Sequence, residues 1–130
     1  MNQIKQITNV FLIAVLIASS CTDDKISEYE KCISQANRIV IEYKLLDKSI
    51  KLEKEQIENF KKILVQNINP TTQRKFRADI QIDLYSDDKK LGRLMIADTA
   101  QTPFVNFSSD KSTIGFQLTY GIGMFLREIK

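Results

Sequence analysis

The chain predicts an α+β fold, an antiparallel sheet of about five to six strands with one main helix and a C-terminal helix packed on it. Three observations lead there. Apolar and polar residues alternate over 76–85 and again over 114–118, the period of a strand with one dry and one wet face. The connections between the later strands are short and rich in Ser, Asp and Lys, as hairpin turns are. Between the second and third predicted strands, and again at the C-terminal end, the apolar spacing lengthens to three or four residues, the period of an amphipathic helix. Consecutive strands joined by short turns pair antiparallel, and the helices then cover one face.

The elements follow in order. Asn37 to Leu46 is rich in β-branched and aromatic residues and reads as the first strand. Asp47-Lys48 turns the chain, and Ser49 to Leu52 returns as a short hairpin strand. The main helix is placed at 53–67, where Ile57, Phe60, Leu64 and Ile68 form one stripe. Glu53, Glu55 and Glu58 lie towards its positive end, and Lys61 and Lys62 towards its negative end. Asn69-Pro70 stops it. A polar loop, Thr71 to Arg77, leads into the alternating strand over 76–85, and Ser86 to Lys90 is its hairpin turn. Leu91 to Ala97, Phe104 to Phe107 and Ile114 to Leu118 supply the remaining strands, with a bulge expected at Gly115. The C-terminal helix covers 120–129, with Thr119 as its cap and Phe125 and Ile129 facing inward.

The first twenty residues have a different character. A polar start whose one charged side chain is Lys5 precedes an unbroken apolar run from Val10 to Ala18, and Ser19-Ser20-Cys21 follows. Charged, apolar and small-residue regions in that order are the parts of a secretory signal. The apolar run has nine residues, whereas a spanning helix needs about twenty. Small residues followed at once by cysteine resemble the lipobox of bacterial lipoprotein precursors. Ala18-Ser19-Ser20-Cys21 departs from that pattern at Ala18, where the family usually has a larger aliphatic residue. The resemblance implies cleavage between Ser20 and Cys21, lipidation of Cys21, and attachment to a membrane through the acyl chains. An ordinary signal peptide and a free periplasmic protein is the alternative.

Three segments are expected: a signal peptide at 1–20, a lipidated cysteine and tether at 21–36 that becomes a short helix, and a single domain at 37–130. The resemblance places Thr22 where an aspartate would retain a lipoprotein at the inner membrane, so the outer membrane is the expected address. Asp23-Asp24 could serve as a surface-export signal in some Gram-negative lineages, or be a solvated charge pair in a linker.

Charge and composition narrow the function classes. Lys5 is the only charged side chain before Cys21, so removing residues 1–20 takes the 19 basic residues to 18 and leaves all 16 acidic ones. That near-neutral balance offers no electrostatic footing for nucleic acid. The chain contains no histidine, which removes the Ser-His-Asp and Cys-His nucleophile arrangements and His-based metal sites. With Cys21 acylated, Cys32 is the only free thiol. Its spacing to Tyr29, Ile33 and Ala36 reads as the apolar side of a short helix, and an intermolecular disulfide is the alternative.

Other patterns carry little chemistry. Asp79 and Asp83 on one strand face stand about 13 Å apart, beyond the ~5–9.5 Å of a glycosidase pair. Ser108 to Lys111 matches Ser-x-x-Lys without the companion motifs of penicillin-recognising enzymes. Gly121-Ile122-Gly123 lacks the third glycine of a nucleotide loop. Asp98-Thr99-Ala100 matches a three-residue O-glycan acceptor pattern. No metal and no cofactor is expected. A basic patch formed by Lys61, Lys62, Arg74, Lys75 and Arg77 is the candidate site for an anionic partner, lipid phosphates included.

The expected function is a non-catalytic binding or interaction module of the cell envelope, tied to a membrane by its lipid and contacting an envelope protein. The loops Asp98–Pro103 and Ser108–Thr113 are its candidate contact loops. The alternatives are a toxin-neutralising or protease-inhibiting lipoprotein, an accessory subunit of an envelope machine, and a hydrolase that works without histidine.

Overall fold

The computed structural model describes residues 24–130. It contains one six-stranded antiparallel sheet, ordered β2-β1-β3-β4-β5-β6, and three helices. Residues 24–35 form α1. The strands are β1 (Arg38–Tyr43), β2 (Lys48–Lys51), β3 (Ile80–Ser86), β4 (Lys89–Ala97), β5 (Phe104–Ser108) and β6 (Thr113–Gln117). The remaining helices are α2 (Lys54–Leu64) and α3 (Tyr120–Ile129).

The alternation read from the sequence sorts the sheet into an inner and an outer face. Ile39, Ile41, Ile82, Leu84, Leu94, Ile96, Val105, Phe107, Ile114 and Phe116 are buried on the inner face, where all three helices pack. A capping box between Glu53 and Gln56 starts α2, and the Thr119 hydroxyl accepts from the Ile122 N–H to start α3. Between the helices, Phe60 of α2 stacks on Phe125 of α3, with ring centroids 4.2 Å apart.

Residues 24–36 depart from the expected tether. Tyr29, Cys32, Ile33 and Ala36 are all buried in the core, so this stretch belongs to the domain. The apolar face of α1 covers Phe107 and Phe116, whose rings meet Tyr29 edge-on. The Tyr29 hydroxyl donates to the Leu64 carbonyl at 2.6 Å, closing the last turn of α2. Burial raises the Tyr29 phenol above its usual range and keeps it a neutral donor. The Cys32 thiol lies in the same core, raised first by burial and then by Glu28. That places it away from any intermolecular disulfide.

Other element boundaries shift. The main helix ends at Leu64 rather than 67, and Asn67 takes a left-handed backbone with φ 57°. The first strand stops at Tyr43, because residues 44–46 tighten into a 3-10 turn closed by Asp47 at φ 48°. The third strand begins at Ile80, not at 76. Residues 70–79 instead form a strap. It bridges to the β6 edge through paired hydrogen bonds between Thr71 and Gly115, then crosses the outer face. There the Gln73 amide donates to the Phe107 carbonyl, and Phe76 meets the Phe104 ring. Asp79 N–H donates to the Ile96 carbonyl as the strap enters β3.

Gly115 carries no bulge, since it pairs in register with Asn106, and the one irregularity in the β3–β4 ladder falls at Leu84/Tyr85. A Cβ at Gly115 would lie 2.8 Å from both the Phe104 ring and the Thr72 carbonyl. The absent side chain lets the strap and Phe104 sit flat on the sheet. Tyr29→Phe leaves the buried Leu64 carbonyl without its donor. It is expected to lower stability by about 1–3 kcal/mol, read from the midpoint of urea unfolding at unchanged m-value.

Candidate functional site

The two residues of the cleavage and lipidation motif, Ser20 and Cys21, lie outside the described residues. The five basic residues expected to form one patch are divided between α2 and the segment 70–79. Lys61 on α2 turns towards α1, donating to the Ser34 and Ala36 carbonyls at 2.8 and 3.0 Å. It thereby satisfies carbonyls at the C-terminal end of α1, where a cation is also favoured by the helix dipole. Lys62 is exposed on α2. Arg74, Lys75 and Arg77 belong to the strap, whose side-chain contacts with Phe104 and Asn106 lie on the outer face. Arg74 reaches round the β6 edge to the end of α2, where it lines one concavity with Ile63 and Gln66.

The carboxylates of β3 and its approach are engaged within the domain. Asp83 accepts from Arg93 at 2.7 Å and from Gln81 at 3.1 Å, and pairs with Lys90 at 3.1 Å. Burial alone would raise its carboxyl, but the hydrogen bonds from Arg93, Lys90 and Gln81 outweigh it and hold Asp83 below the usual carboxylate range. Asp79 accepts from the Asp98 and Thr99 N–H groups and from the Thr99 hydroxyl. Here too burial pushes upward while these bonds and the Arg77 charge prevail, so the carboxyl is lowered. The Thr99 hydroxyl of the O-glycan pattern is thus committed to Asp79. Ser109, within the Ser-x-x-Lys match, accepts from the Lys111 and Ser112 N–H groups and so closes the β5–β6 turn. Among the described residues there is no cluster of three or more Asp, Glu, Cys or His side chains placed to hold a metal ion, and no helix long and apolar enough to cross a membrane.

Four large apolar residues are exposed among the described ones: Leu45, Leu46, Val65 and Tyr120. Two of them are adjacent. Leu45 and Leu46, 70% and 54% exposed, sit on the 3-10 turn at the tip of the β1–β2 hairpin. Three-residue helical winding followed by the left-handed Asp47 places both leucines outside the ladder that would otherwise have buried one of them. Behind them a recess of about 130 Å³ opens between this tip, the 98–103 loop and the end of α3. Tyr43, Ile80 and Leu126 form its apolar wall, and Asp98, Arg127 and Lys130 stand at its rim.

This end of the molecule is rigidly built. The Tyr43 hydroxyl donates to the Leu126 carbonyl at 2.5 Å, tying β1 to the last turn of α3. Burial, and then the Asp98 charge, push the Tyr43 phenol up to about 12, so it remains a donor through the physiological range. Asp98 is incompletely satisfied: its Oδ1 is buried with no hydrogen bond among the described residues. Arg127 stands 3.5 Å from that oxygen, close enough for charge attraction and too long for a well-formed hydrogen bond. The sequence pointed to the 98–103 loop as a contact loop and missed Leu45-Leu46, which it absorbed into the first strand.

A second concavity of about 690 Å³ lies at the β6 edge, between the end of α2, the strap and the start of α3. It takes in one member of the expected basic patch, Arg74. No protein-family model, no curated protein and no solved structure matches the chain.

The Asp83 network sets a pH dependence. Because folding lowers this carboxyl, its contribution is complete above the unfolded value of about 3.9 and is lost as the pH falls through the lower folded value. Asp83→Asn is expected to cost about 1 kcal/mol at pH 7, with the gap to the wild type closing below about pH 4. Urea midpoints measured from pH 7 to pH 3 check it.

Proposed function

We propose that the protein is a membrane-anchored extracytoplasmic lipoprotein whose domain is a non-catalytic interaction module, docking an envelope protein at the Leu45-Leu46 end. The observation that carries the docking surface is the pair of exposed leucines in front of an apolar recess. Each leucine held in water forgoes about 1.5–3 kcal/mol that burial against a partner would return. The rigid wall behind them means that little order has to be imposed on binding.

The surroundings define the chemistry of the partner. It presents an apolar side chain to the exposed leucines. Lys44, Lys48 and Lys130 surround the tip and form no ion pair with a described residue, so they offer cations to carboxylates at the partner's rim. The anchor rests on the signal-like start and on Cys21. The α1 helix supports a short connection, because only Thr22 and Asp23 separate Cys21 from the helical stretch that starts at 24, about 10 Å of chain at full extension.

Two measurements test the reading. Cys21→Ala should move the protein from the membrane to the soluble fraction; retention in the membrane would refute the anchor. Affinity capture from cross-linked envelopes, comparing wild type with Leu45→Asp/Leu46→Asp, tests the surface. A protein recovered with the wild type should fall by about two orders of magnitude in affinity with the double variant, at unchanged melting temperature. Equal recovery by both would refute the docking site. Loss of binding to anionic vesicles in place of a protein would make the tip a lipid contact instead.

A further inference from the structure

We infer that the cleft at the β6 edge is a saccharide-binding site selective for sugars that carry an anionic group. It lies across the sheet from Leu45-Leu46 and depends on none of the residues of that surface. Its volume of about 690 Å³ falls within the range of small-molecule sites.

The lining is unusual for this molecule. Gln66, Asn67, Asn69 and Gln117 all border it, and none of these amides hydrogen-bonds to another described residue. Elsewhere Asn37, Gln56, Gln73, Gln81 and Asn106 use theirs to hold the fold together, while the exposed Gln35 and Gln101 stand alone; only at the cleft do four such amides gather. An amide offers a donor and an acceptor in one plane, which suits the paired donor and acceptor roles of neighbouring sugar hydroxyls. Tyr120 stands at the rim, 81% exposed. Its ring offers an apolar platform to the C–H face of a pyranose, and its hydroxyl offers a polar tip.

Charge decides among sugars. Among the described residues Arg74 is the only charged side chain lining the cleft, and no carboxylate lines it. Its guanidinium lies 4.4 Å from the centroid of the buried Phe104 ring. Its backbone is held from both sides by the Asn106 amide, which accepts from the Arg74 N–H and donates to the Arg74 carbonyl. A guanidinium stacked on a ring and mounted on a pinned backbone is pre-positioned, with its N–H edge open to a carboxylate or phosphate. The shared chemistry is therefore a hydroxyl-rich ring bearing an anion, met in uronic acids and in sugar phosphates alike.

Isothermal titration of the full chain in detergent micelles tests this with three probes: a trigalacturonate, the neutral galactose trisaccharide of the same linkage, and galactose 6-phosphate. An acid-bearing probe should bind at least about tenfold more tightly than the neutral one, and which of the two does so identifies the source of the anion. Arg74→Gln should abolish that preference, Tyr120→Ala should weaken binding of the acidic probe severalfold, and Lys75→Gln, on the strap outside the cleft, should leave it unchanged. Because Arg74 also packs on Phe104, Gln117→Ala supplies a second variant with no packing role, expected to weaken binding severalfold. Equal affinity for the neutral probe, indifference to both Arg74→Gln and Gln117→Ala, or no binding of either acidic probe at millimolar concentration would overturn the inference. Loss of the Leu45-Leu46 docking function would leave all of these results unchanged.

Discussion

The buried phenol of Tyr29 ties the helical layer to the sheet. Its ring fills the space over Phe107 and Phe116, and its hydroxyl reaches the Leu64 carbonyl. Three elements far apart in sequence meet on one side chain: α1, the end of α2, and the β5–β6 pair. The end of α2 has to be fixed there, because the chain leaves it directly for the β6 edge and the strap. The walls of the cleft follow from that placement, since Gln66, Asn67 and Asn69 project from the turns just after Leu64. Lys61 reinforces the same corner by closing the carbonyls at the end of α1.

The two faces of the sheet solve one packing problem in two ways, and both solutions involve β5. Phe107 points inward and Phe104 outward. Each ring lies where a neighbouring strand has a glycine: a Cβ at Gly92 would come within 2.7 Å of Phe107, and one at Gly115 within 2.8 Å of Phe104. The inner ring is covered by helices. The outer ring has no helix over it, and the strap takes that role with Phe76 and Arg74. Nearer β1 the outer face is kept wet by the Asp83 cluster and by Arg38, which lies over the Tyr85 ring at 3.9 Å.

Much of the fold was legible because alternation survives burial on one face. The inward residues of β3 and β6, the capping residue Thr119 and the inward face of α3 all follow from period alone. The misread regions share a cause. Phe76 and Ala78 continue the alternation of Ile80, Ile82 and Leu84, so the strap looked like more strand, yet it is held by the outer face. Tyr29, Cys32, Ile33 and Ala36 have helical spacing, but the lysines and glutamates among them made α1 look like a tether. Leu45 and Leu46 looked like strand interior, because the turn was expected only at Asp47-Lys48 and nothing in the run NRIVIEYKLL announces the 3-10 winding of residues 44–46. The cleft was not legible at all apart from Arg74, since its lining is drawn from 63–74, 104 and 117–121.

The strap has a further consequence for the order in which this molecule is assembled. Residues 70–79 precede β3 in the chain, but the surface they lie on is made by β5 and β6, some thirty to forty residues later. They have nothing to rest on until the β4–β5–β6 meander exists. The C-terminal half therefore acts as the template on which an earlier segment is laid, and the loop so closed also shields the backbone groups of the β6 edge from pairing with another chain. The opposite edge, β2, has no such cover and relies on the lysines at its two ends, Lys48 and Lys51. A nascent copy that had made only its first hundred residues would carry an undocked strap, an incomplete sheet and a free edge at β4, and vulnerability to mispairing would end only when the last strand arrived.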